Sequence, residues 1–266
     1  MDARYKHILG LDEPPCTTVF LPWIGEFGWY LMNHVKRVHA YNATKKIAFI
    51  KPGHECLFPT VQEFIYNWED VHDDQKAGII TNTQRIDLVD RILARYGSDI
   101  KIISHEETSW DEKTSLASHT FVPSNQLKHD LKVDVVISPR KRNMDSFRNL
   151  NCWQQIVDQF LERGLTVGVA GNKVATAQLN GITHYASDYV DVDSDVELIK
   201  SAKFCVAQES GMAYLMMMCR KPLFMIDHEP VVPVRDMHRD PTVFFEVVDI
   251  TKEYDWRVAI DKISLA

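Results

Sequence analysis

Residues 196–227 read VELIKSAKFCVAQESGMAYLMMMCRKPLFMID, and this stretch decides the predicted fold. It contains a helical pattern, the apolar run KFCVAQ, a Glu-Ser-Gly turn at 209–211, an apolar helix and a second apolar run, PLFMID. Short apolar runs that alternate with helices are typical of a parallel sheet covered by helices. The turn joins the carboxyl end of a strand to the N-terminus of a helix, where α/β proteins commonly bind anionic ligands.

The same alternation extends in both directions along the chain. In the first half we predict strands at 17–21, 47–50 and 100–103, and helices at 29–41, 58–66 and 84–96. In the second half we predict strands at 134–140, 165–171 and 244–248, and helices at 153–163, 196–200 and 254–263. The polar stretch 104–131 interrupts the pattern and is interpreted as a linker. We therefore predict an α/β protein with two facing Rossmann-like parallel-sheet domains, residues 1–125 and 126–266, with the last helix a candidate to pack back on the first domain.

The composition limits the function classes. The chain has 266 residues, a net charge of −7, 45% hydrophobic residues and five cysteines without CxxC spacing. The negative charge argues against a nucleic-acid partner, and the cysteine pattern argues against a disulfide framework or a zinc site. The N-terminus lacks the pattern of a signal peptide, and no apolar run approaches the roughly 20 residues that span a bilayer. We therefore expect a cytoplasmic protein without a transmembrane segment.

The second half resembles the C-terminal domain of GT-B glycosyltransferases. The order of VVISPRKRN, NCWQQIVDQFLERG, LTVGVAGN and the stretch ending in PLFMID carries this resemblance, and heptosyltransferase-like and fucosyltransferase-like enzymes have versions of it. In the first half, Gly25-Glu26-Phe27-Gly28 resembles the Gly-rich loop that follows the first strand of fucosyltransferase-like enzymes. The resemblance implies two partners, a nucleotide-diphospho-sugar donor as co-substrate and a glycan or other hydroxyl acceptor. It implies no other cofactor and no required metal.

The Glu-Ser-Gly turn is the first candidate for donor binding. Backbone N–H groups at Ser210 and Gly211 are placed to bind phosphate oxygens, and Gly211 leaves room for close backbone approach. Glu209 would be repelled by phosphate and suits ribose or sugar hydroxyls instead. The alternative is that Ser210 is only the N-cap of the following helix.

Basic residues follow the predicted strand 134–140. Arg140 and Arg142 are candidates for the donor diphosphate because the guanidinium group binds phosphate through two parallel hydrogen bonds. Gly171 ends the neighbouring strand and is assigned to the same donor site. The alternative for the basic run is a solvated turn.

The candidate for the catalytic base is Glu26, on the loop after the first strand. Gly25 and Gly28 flank it and let the backbone approach an acceptor. His54 and Glu55, at the end of the second strand, are the reserve candidates, and His54 is assigned to the same acceptor side. The alternative is a turn shaped by the glycines, with Glu26 a first-turn carboxylate favoured by the helix dipole. His34 is expected to be structural.

Residues 191–195 (DVDSD) contain the DxD pattern of metal-dependent glycosyltransferases. The pattern also resembles the start of an EF-hand loop, but it lacks the Gly and the Glu at the required spacing. We interpret it as a solvated loop in which Ser194 or Asp195 caps the next helix, and we assign no metal ligand.

Two other function classes remain open. The first is an α/β-hydrolase-like enzyme with Ser210 as nucleophile, although Gln208 and Met212 stand where the nucleophile elbow requires glycines. The second is a non-catalytic protein that binds sugar nucleotides.

Overall fold

The computed structural model describes residues 6–7, 9–23, 27–66, 82–104, 121–124, 128–141, 152–173, 176–189, 191–227 and 245–249. The chain divides into two compact units, residues 1–124 and 125–266, each with its own parallel sheet. The predicted α/β class with two parallel sheets is therefore confirmed. Residues 78–80, which form a short apolar run in the sequence, and the predicted helix 254–263 lie outside the described residues.

The first unit contains a four-stranded sheet with the order β3-β2-β1-β4. Its strands are β1 Thr17–Phe20, β2 Lys45–Phe49, β3 Glu63–Ile65 and β4 Lys101–Ile103. β1 lies between β2 and β4 and is parallel to both, with Val19 paired to Ile47 on one side and to Ile102 on the other. A central strand is covered on both faces, which explains why the middle of β1 is apolar.

Helix α1 (residues 27–40) follows β1 and changes its winding along its length. It is α-helical over Phe27–Trp29, π-helical over Tyr30–Val35 and α-helical again over Lys36–Ala40. All six residues of the π-helical segment are buried. π-helical turns are rare in proteins, and those that occur are often at functional sites. This segment is therefore a candidate part of a functional site.

Helix α2 (Asn82–Tyr96) covers the same sheet. Leu88 and Ile92 are four residues apart and pack against Val19, Ile47 and Phe49 in one buried cluster. This spacing places both side chains on one face of the helix, so the predicted helix at 84–96 is confirmed. Of the apolar residues that suggested it, Ile92 is buried, whereas Ile86 and Leu93 are exposed, so the buried face differs from the expected one.

The prediction of a helix at 58–66 is wrong. The structure has a 3₁₀ turn at Glu55–Leu57, and then β3 pairs in parallel with β2. Gln62 Oε1 accepts the Lys46 N–H at 2.7 Å just before the strand begins. The sheet edge supplied backbone partners to a segment whose apolar spacing resembled a helix, and that tertiary pairing overrode the local pattern.

The second unit contains a six-stranded parallel sheet with the order β10-β9-β8-β5-β6-β7. Its strands are β5 Val135–Ser138, β6 Val167–Val169, β7 His184–Tyr185, β8 Phe204–Gln208, β9 Leu223–Asp227 and β10 Phe245–Asp249. Its helices are α3 Trp153–Glu162, α4 Val192–Ser201 and α5 Gly211–Met218.

Helix α3 supplies much of the core of this unit. Four of its residues, Trp153, Ile156, Val157 and Phe160, recur at the spacing of one helical face and are at most 1% exposed. They pack on the apolar side chains of β5 and β6. Burial of each such side chain stabilises the fold by roughly 1.5–3 kcal/mol.

Helix α4 begins earlier than the predicted 196–200. Asp191 is its N-cap, and the Asp191 carboxylate accepts the Ser194 N–H at 2.8 Å. The prediction that Ser194 or Asp195 is the cap is therefore wrong, since both lie within the helix. The interpretation of residues 191–195 as a solvated loop is also wrong, since residues 192–195 are helical and Asp193 and Ser194 are buried. Acidic residues in the first helical turn are favoured by the helix dipole.

Candidate functional site

The second sheet has a topological switch point between β5 and β8. From β5 the chain adds β6 and β7 on one side, and it then returns to add β8 and β9 on the other side. Connections that leave two neighbouring strands in opposite directions open a crevice at the carboxyl ends of those strands, and ligands of open α/β sheets bind there. The residues that follow β5 and β8 therefore border the crevice in which a ligand is expected.

Arg140 joins the two sides of this switch point. It follows β5, is half-buried, and its Nη1 donates a hydrogen bond to the Glu209 carbonyl oxygen at 3.2 Å after β8. Its backbone also forms an isolated antiparallel bridge with Thr176. The structure thus brings together Arg140 and Glu209, which the sequence assigned to one site, and it holds the guanidinium group in place.

Ser210 is the N-cap of α5. Its Oγ accepts the Ala213 N–H at 3.4 Å and donates to the Gln208 carbonyl oxygen at 3.1 Å. The hydroxyl proton thus points to a carbonyl group instead of a base, which disfavours Ser210 as a nucleophile. The cap and Gly211, the first helical residue, place the positive end of the helix dipole at the switch point.

Gly171 follows β6 and allows close packing around the same edge. Its φ is +116°, and a Cβ atom there would lie 2.9 Å from Thr176 Cγ2 and 3.4 Å from Met212 Cγ. The Gly171 N–H donates to Asp195 Oδ1 at 2.8 Å. The absence of a side chain at Gly171 therefore lets Thr176 and Met212 pack closely, while its N–H group is directed to helix α4.

Asp195 is the ionisable group beneath this turn, and sequence reasoning did not assign it to the site. Burial raises the pKa of Asp195 to about 7, and the negative charge of Asp191 acts in the same direction. The hydrogen bond from Gly171 acts in the opposite direction. The carboxyl group therefore changes charge near neutral pH, at the carboxyl edge of the sheet.

The three aspartates of the DxD region have three different partners. Asp191 caps α4, Asp193 pairs with Lys128, and Asp195 accepts the Gly171 N–H. In the part of the chain that the structure describes, no three His, Cys, Asp or Glu side chains converge on a possible metal site. These aspartates therefore cap helix α4 and join it to the neighbouring segments.

In the first unit, a small cavity of about 80 Å³ lies at the carboxyl ends of β1 and β2. Aromatic rings form much of its lining and polar groups lie beside them; the lining residues are Trp23, Phe27, Tyr30, Phe49, Ile50, Lys51 and His54. Such a mixture suits a ligand with an apolar face and polar substituents, such as a sugar ring.

The π-helical segment places two side chains beside this cavity. The Tyr30 ring stacks on the His34 ring with centroids 5.7 Å apart, and Tyr30 Oη lies 3.4 Å from His54 Nδ1. Burial holds the pKa of Tyr30 well above its ordinary value, so the phenol is neutral at physiological pH. His34 is buried behind this stack, while His54 is only half-buried.

Three predicted site residues, Gly25, Glu26 and Arg142, lie outside the described residues, and their assignments stay predictions. Gly28 lies within the first turn of α1, because the helix begins at Phe27, two residues before the predicted start. Sequence reasoning also missed Trp23, Tyr30 and Lys51. A signal was present, since the region between β1 and β2 is rich in aromatic residues.

No protein-family model matches the chain, and no curated protein matches its sequence. Its fold is similar to that of a glycosyl transferase family 9 protein from Veillonella parvula, with a TM-score of 0.57 at 10% identity. The alignment covers 92% of this chain and 89% of that chain. The E. coli heptosyltransferase WaaC, solved with ADP, gives a TM-score of 0.55 at 10% identity over 93% of this chain and 99% of that chain.

A third solved structure extends the likeness. The E. coli ADP-heptose LPS heptosyltransferase II gives a TM-score of 0.53 at 13% identity over 87% of this chain and 89% of that chain. The two-sheet architecture is therefore that of GT-B glycosyltransferases. None of the described helices has the length and apolarity that crossing a membrane requires.

Proposed function

We propose that this chain, which has the GT-B architecture, transfers a sugar from a nucleotide-diphospho-sugar donor to a hydroxyl group of an acceptor. The observation that carries the proposal is the hydrogen bond from Arg140 to Glu209 across the switch point, next to the capped N-terminus of α5. A fixed guanidinium group and a helix N-terminus at one edge suit a diphosphate. The likeness in fold to heptosyltransferases, one of them solved with ADP, supports this choice of ligand class.

The chemistry of the donor side follows from charge. When the sugar leaves, the nucleoside diphosphate gains negative charge that must be stabilised. Arg140 remains cationic at any working pH, and the dipole of α5 adds a partial positive charge. We propose that these two groups stabilise the leaving diphosphate without a required metal, and that Glu209 accepts hydrogen bonds from donor hydroxyls.

The acceptor side is proposed to be the cavity of the first unit. Its aromatic rings offer flat apolar surfaces to a sugar ring, while His54 and Lys51 offer polar contacts. Glu26 remains the proposed base for the acceptor hydroxyl, and Gly25 and Gly28 are proposed to shape the loop around it.

Nucleotide binding is the first test. Thermal-shift and calorimetric titrations with ADP, UDP, GDP and CMP, with and without magnesium, should give a stabilising ligand because binding to the folded state raises apparent stability. Arg140→Ala should weaken binding by about 10- to 100-fold, the range expected for loss of a charge-assisted hydrogen bond. Arg163→Ala, at an exposed helix end of the same unit, is the matched control and should bind normally. Equal affinity in both variants would refute the role of Arg140.

Turnover separates an enzyme from a binding protein. Glu26→Gln should retain nucleotide affinity and lose sugar transfer, because the amide cannot accept the acceptor proton. Transfer at the native rate would exclude Glu26 as the base. Binding of the donor without transfer to any hydroxyl acceptor would favour the non-catalytic alternative, and covalent labelling of Ser210 by a serine-reactive phosphonate would favour the hydrolase.

A further inference from the structure

Asp195 connects helix α4 to the turn that follows β6. Its Oδ1 accepts the Gly171 N–H at 2.8 Å, and Gly171 lies against Thr176 and Met212. Thr176 is bridged through the backbone to Arg140, and Met212 belongs to the first turn of α5. Asp195 is thus bonded to the residue around which the proposed donor-binding groups pack.

The hydrogen bond from Gly171 to Asp195 determines whether the Gly171 N–H group can bind a ligand. At φ +116° the backbone occupies a region that residues with side chains rarely adopt and that glycine adopts without strain. The Asp195 carboxylate accepts the N–H group and so fixes the direction in which it points. In this conformation Gly171 does not present its N–H to a phosphate, and the turn depends on the carboxyl group below it.

The groups around Asp195 determine how its protonation responds to an added charge. Asp191, one helical turn earlier, is the charged neighbour that disfavours ionisation, and burial is the larger effect. The charge of Asp195 also acts on the Cys219 thiol at the end of helix α5, but burial raises the pKa of Cys219 to about 12, so this thiol is neutral. From β6 the neighbour is the uncharged Gly171 N–H. An additional negative charge nearby will therefore favour the protonated carboxyl group.

We infer that Asp195 is a positioning residue of the donor site, which holds the Gly171 turn in place and takes up a proton when a nucleoside diphosphate binds. This inference rests on the proposed function, since a diphosphate would bring negative charge to the edge above Asp195. Protonation removes the like-charge repulsion, while the second carboxyl oxygen keeps an acceptor for the Gly171 N–H. Nucleotide affinity should therefore fall as the pH rises through neutrality.

The test compares the native chain with Asp195→Asn and Asp191→Asn. Asparagine at 195 retains an acceptor oxygen but cannot titrate, and asparagine at 191 remains a good N-cap while it removes the neighbouring charge. ADP is titrated between pH 6.5 and 8, in buffers of different ionisation enthalpy, to count protons taken up. Because the ADP phosphate itself titrates near this range, the difference between native chain and variant is the quantity of interest.

We expect the native affinity, relative to that of Asp195→Asn, to fall about fourfold from pH 6.5 to 8, which corresponds to a one-unit rise in the pKa of Asp195 on binding. In Asp191→Asn the same fall should occur at lower pH than in the native chain, because the loss of the like charge lowers the pKa of Asp195. Equal proton uptake in native chain and Asp195→Asn would overturn the inference and leave the proposed function intact. Absence of binding of any nucleoside diphosphate to the native chain would overturn both.

A ligand-free measurement tests the positioning role separately. In the native chain, the Gly171 amide resonance should shift with pH with a midpoint near 7, and the shift should vanish in Asp195→Asn. A Gly171 resonance that does not respond to pH in the native chain would show that Asp195 does not titrate beneath this turn and would overturn the inference.

Discussion

Replacement of Glu197 by Ala should destabilise the second unit by about 3 kcal/mol. Glu197 is 1% exposed on helix α4, and its carboxylate accepts the backbone N–H groups of Lys128, His129 and Leu131, with the Lys128 and Leu131 bonds at 2.8 Å. A hydrogen bond to a charged group contributes about 1.5–3 kcal/mol. The expected loss is smaller than three times this value, because the three bonds share one carboxylate and are not independent. Water can replace the carboxylate as the partner of the exposed Lys128 N–H group but not of the buried Leu131 N–H group.

The pH dependence of this effect has a definite sign. Burial raises the pKa of Glu197, but the three N–H donors together hold it below its usual value. A lowered carboxyl pKa contributes stability above the unfolded value of about 4.5, and this contribution is lost as the pH falls through the folded value. The difference between native chain and Glu197→Gln should therefore be largest at neutral pH and shrink below about pH 4.5.

Urea unfolding at pH 7 and in a pH series measures these differences, and hydrogen exchange at the Leu131 amide reports the local bond. Glu162→Ala is the matched control, since Glu162 is an exposed carboxylate near the end of another helix of the same unit. We expect this control to change the free energy of unfolding by less than about 0.5 kcal/mol. A Glu197→Ala value equally small, with normal protection at Leu131, would refute the reasoning.

Three further outcomes are expected. Gly171→Ala should cost about 1 kcal/mol more in urea unfolding than Gly97→Ala, because both have positive φ but only Gly171 has a close neighbour for the new methyl group; equal costs would contradict this. Asp134→Asn should cost about 1–2 kcal/mol at pH 7, since the Thr166 N–H is the main reason that the pKa of Asp134 is about 2. That difference should vanish in unfolding measurements as the pH falls from about 4 to 2, and its persistence there would count against the bond. Tyr30→Phe should lower kcat/KM for the acceptor and leave ADP affinity unchanged; a weakened ADP affinity would contradict the acceptor assignment.

Local sequence patterns predicted most strands of both sheets, but they missed β3. The run FCVAQ is apolar throughout and is bounded by a helix and a turn, so its identity as a buried strand did not depend on distant residues. The segment 58–66 was predicted incorrectly because Phe58, Val61, Phe64 and Ile65 have a spacing typical of a helix. Only the presence of β2 beside it, which no local pattern encodes, makes residues 63–65 a strand.

Some residues of the candidate site could likewise be predicted from local patterns, and others could not. Arg140, Gly171 and Ser210 follow strands, so their convergence at one edge followed from the prediction of a parallel sheet. Asp195 comes from the first turn of a helix, and its bond to Gly171 depends on how that helix packs. The role of Tyr30 depends on a π-helical turn, which the hydrophobic pattern does not signal.

The winding of helix α1 has a consequence for the comparison of related sequences. A π-helical turn accommodates an extra residue relative to an α-helical turn, and each residue of an α-helix turns the chain by about 100°. Deletion of one residue within Tyr30–Val35 would therefore restore regular winding and keep Trp29 and Phe27 on the same helical face relative to the residues after Val35. A relative with a regular helix here should align with a one-residue gap in this segment. Alignments without that gap would pair the residues of the cavity with positions on a different helical face.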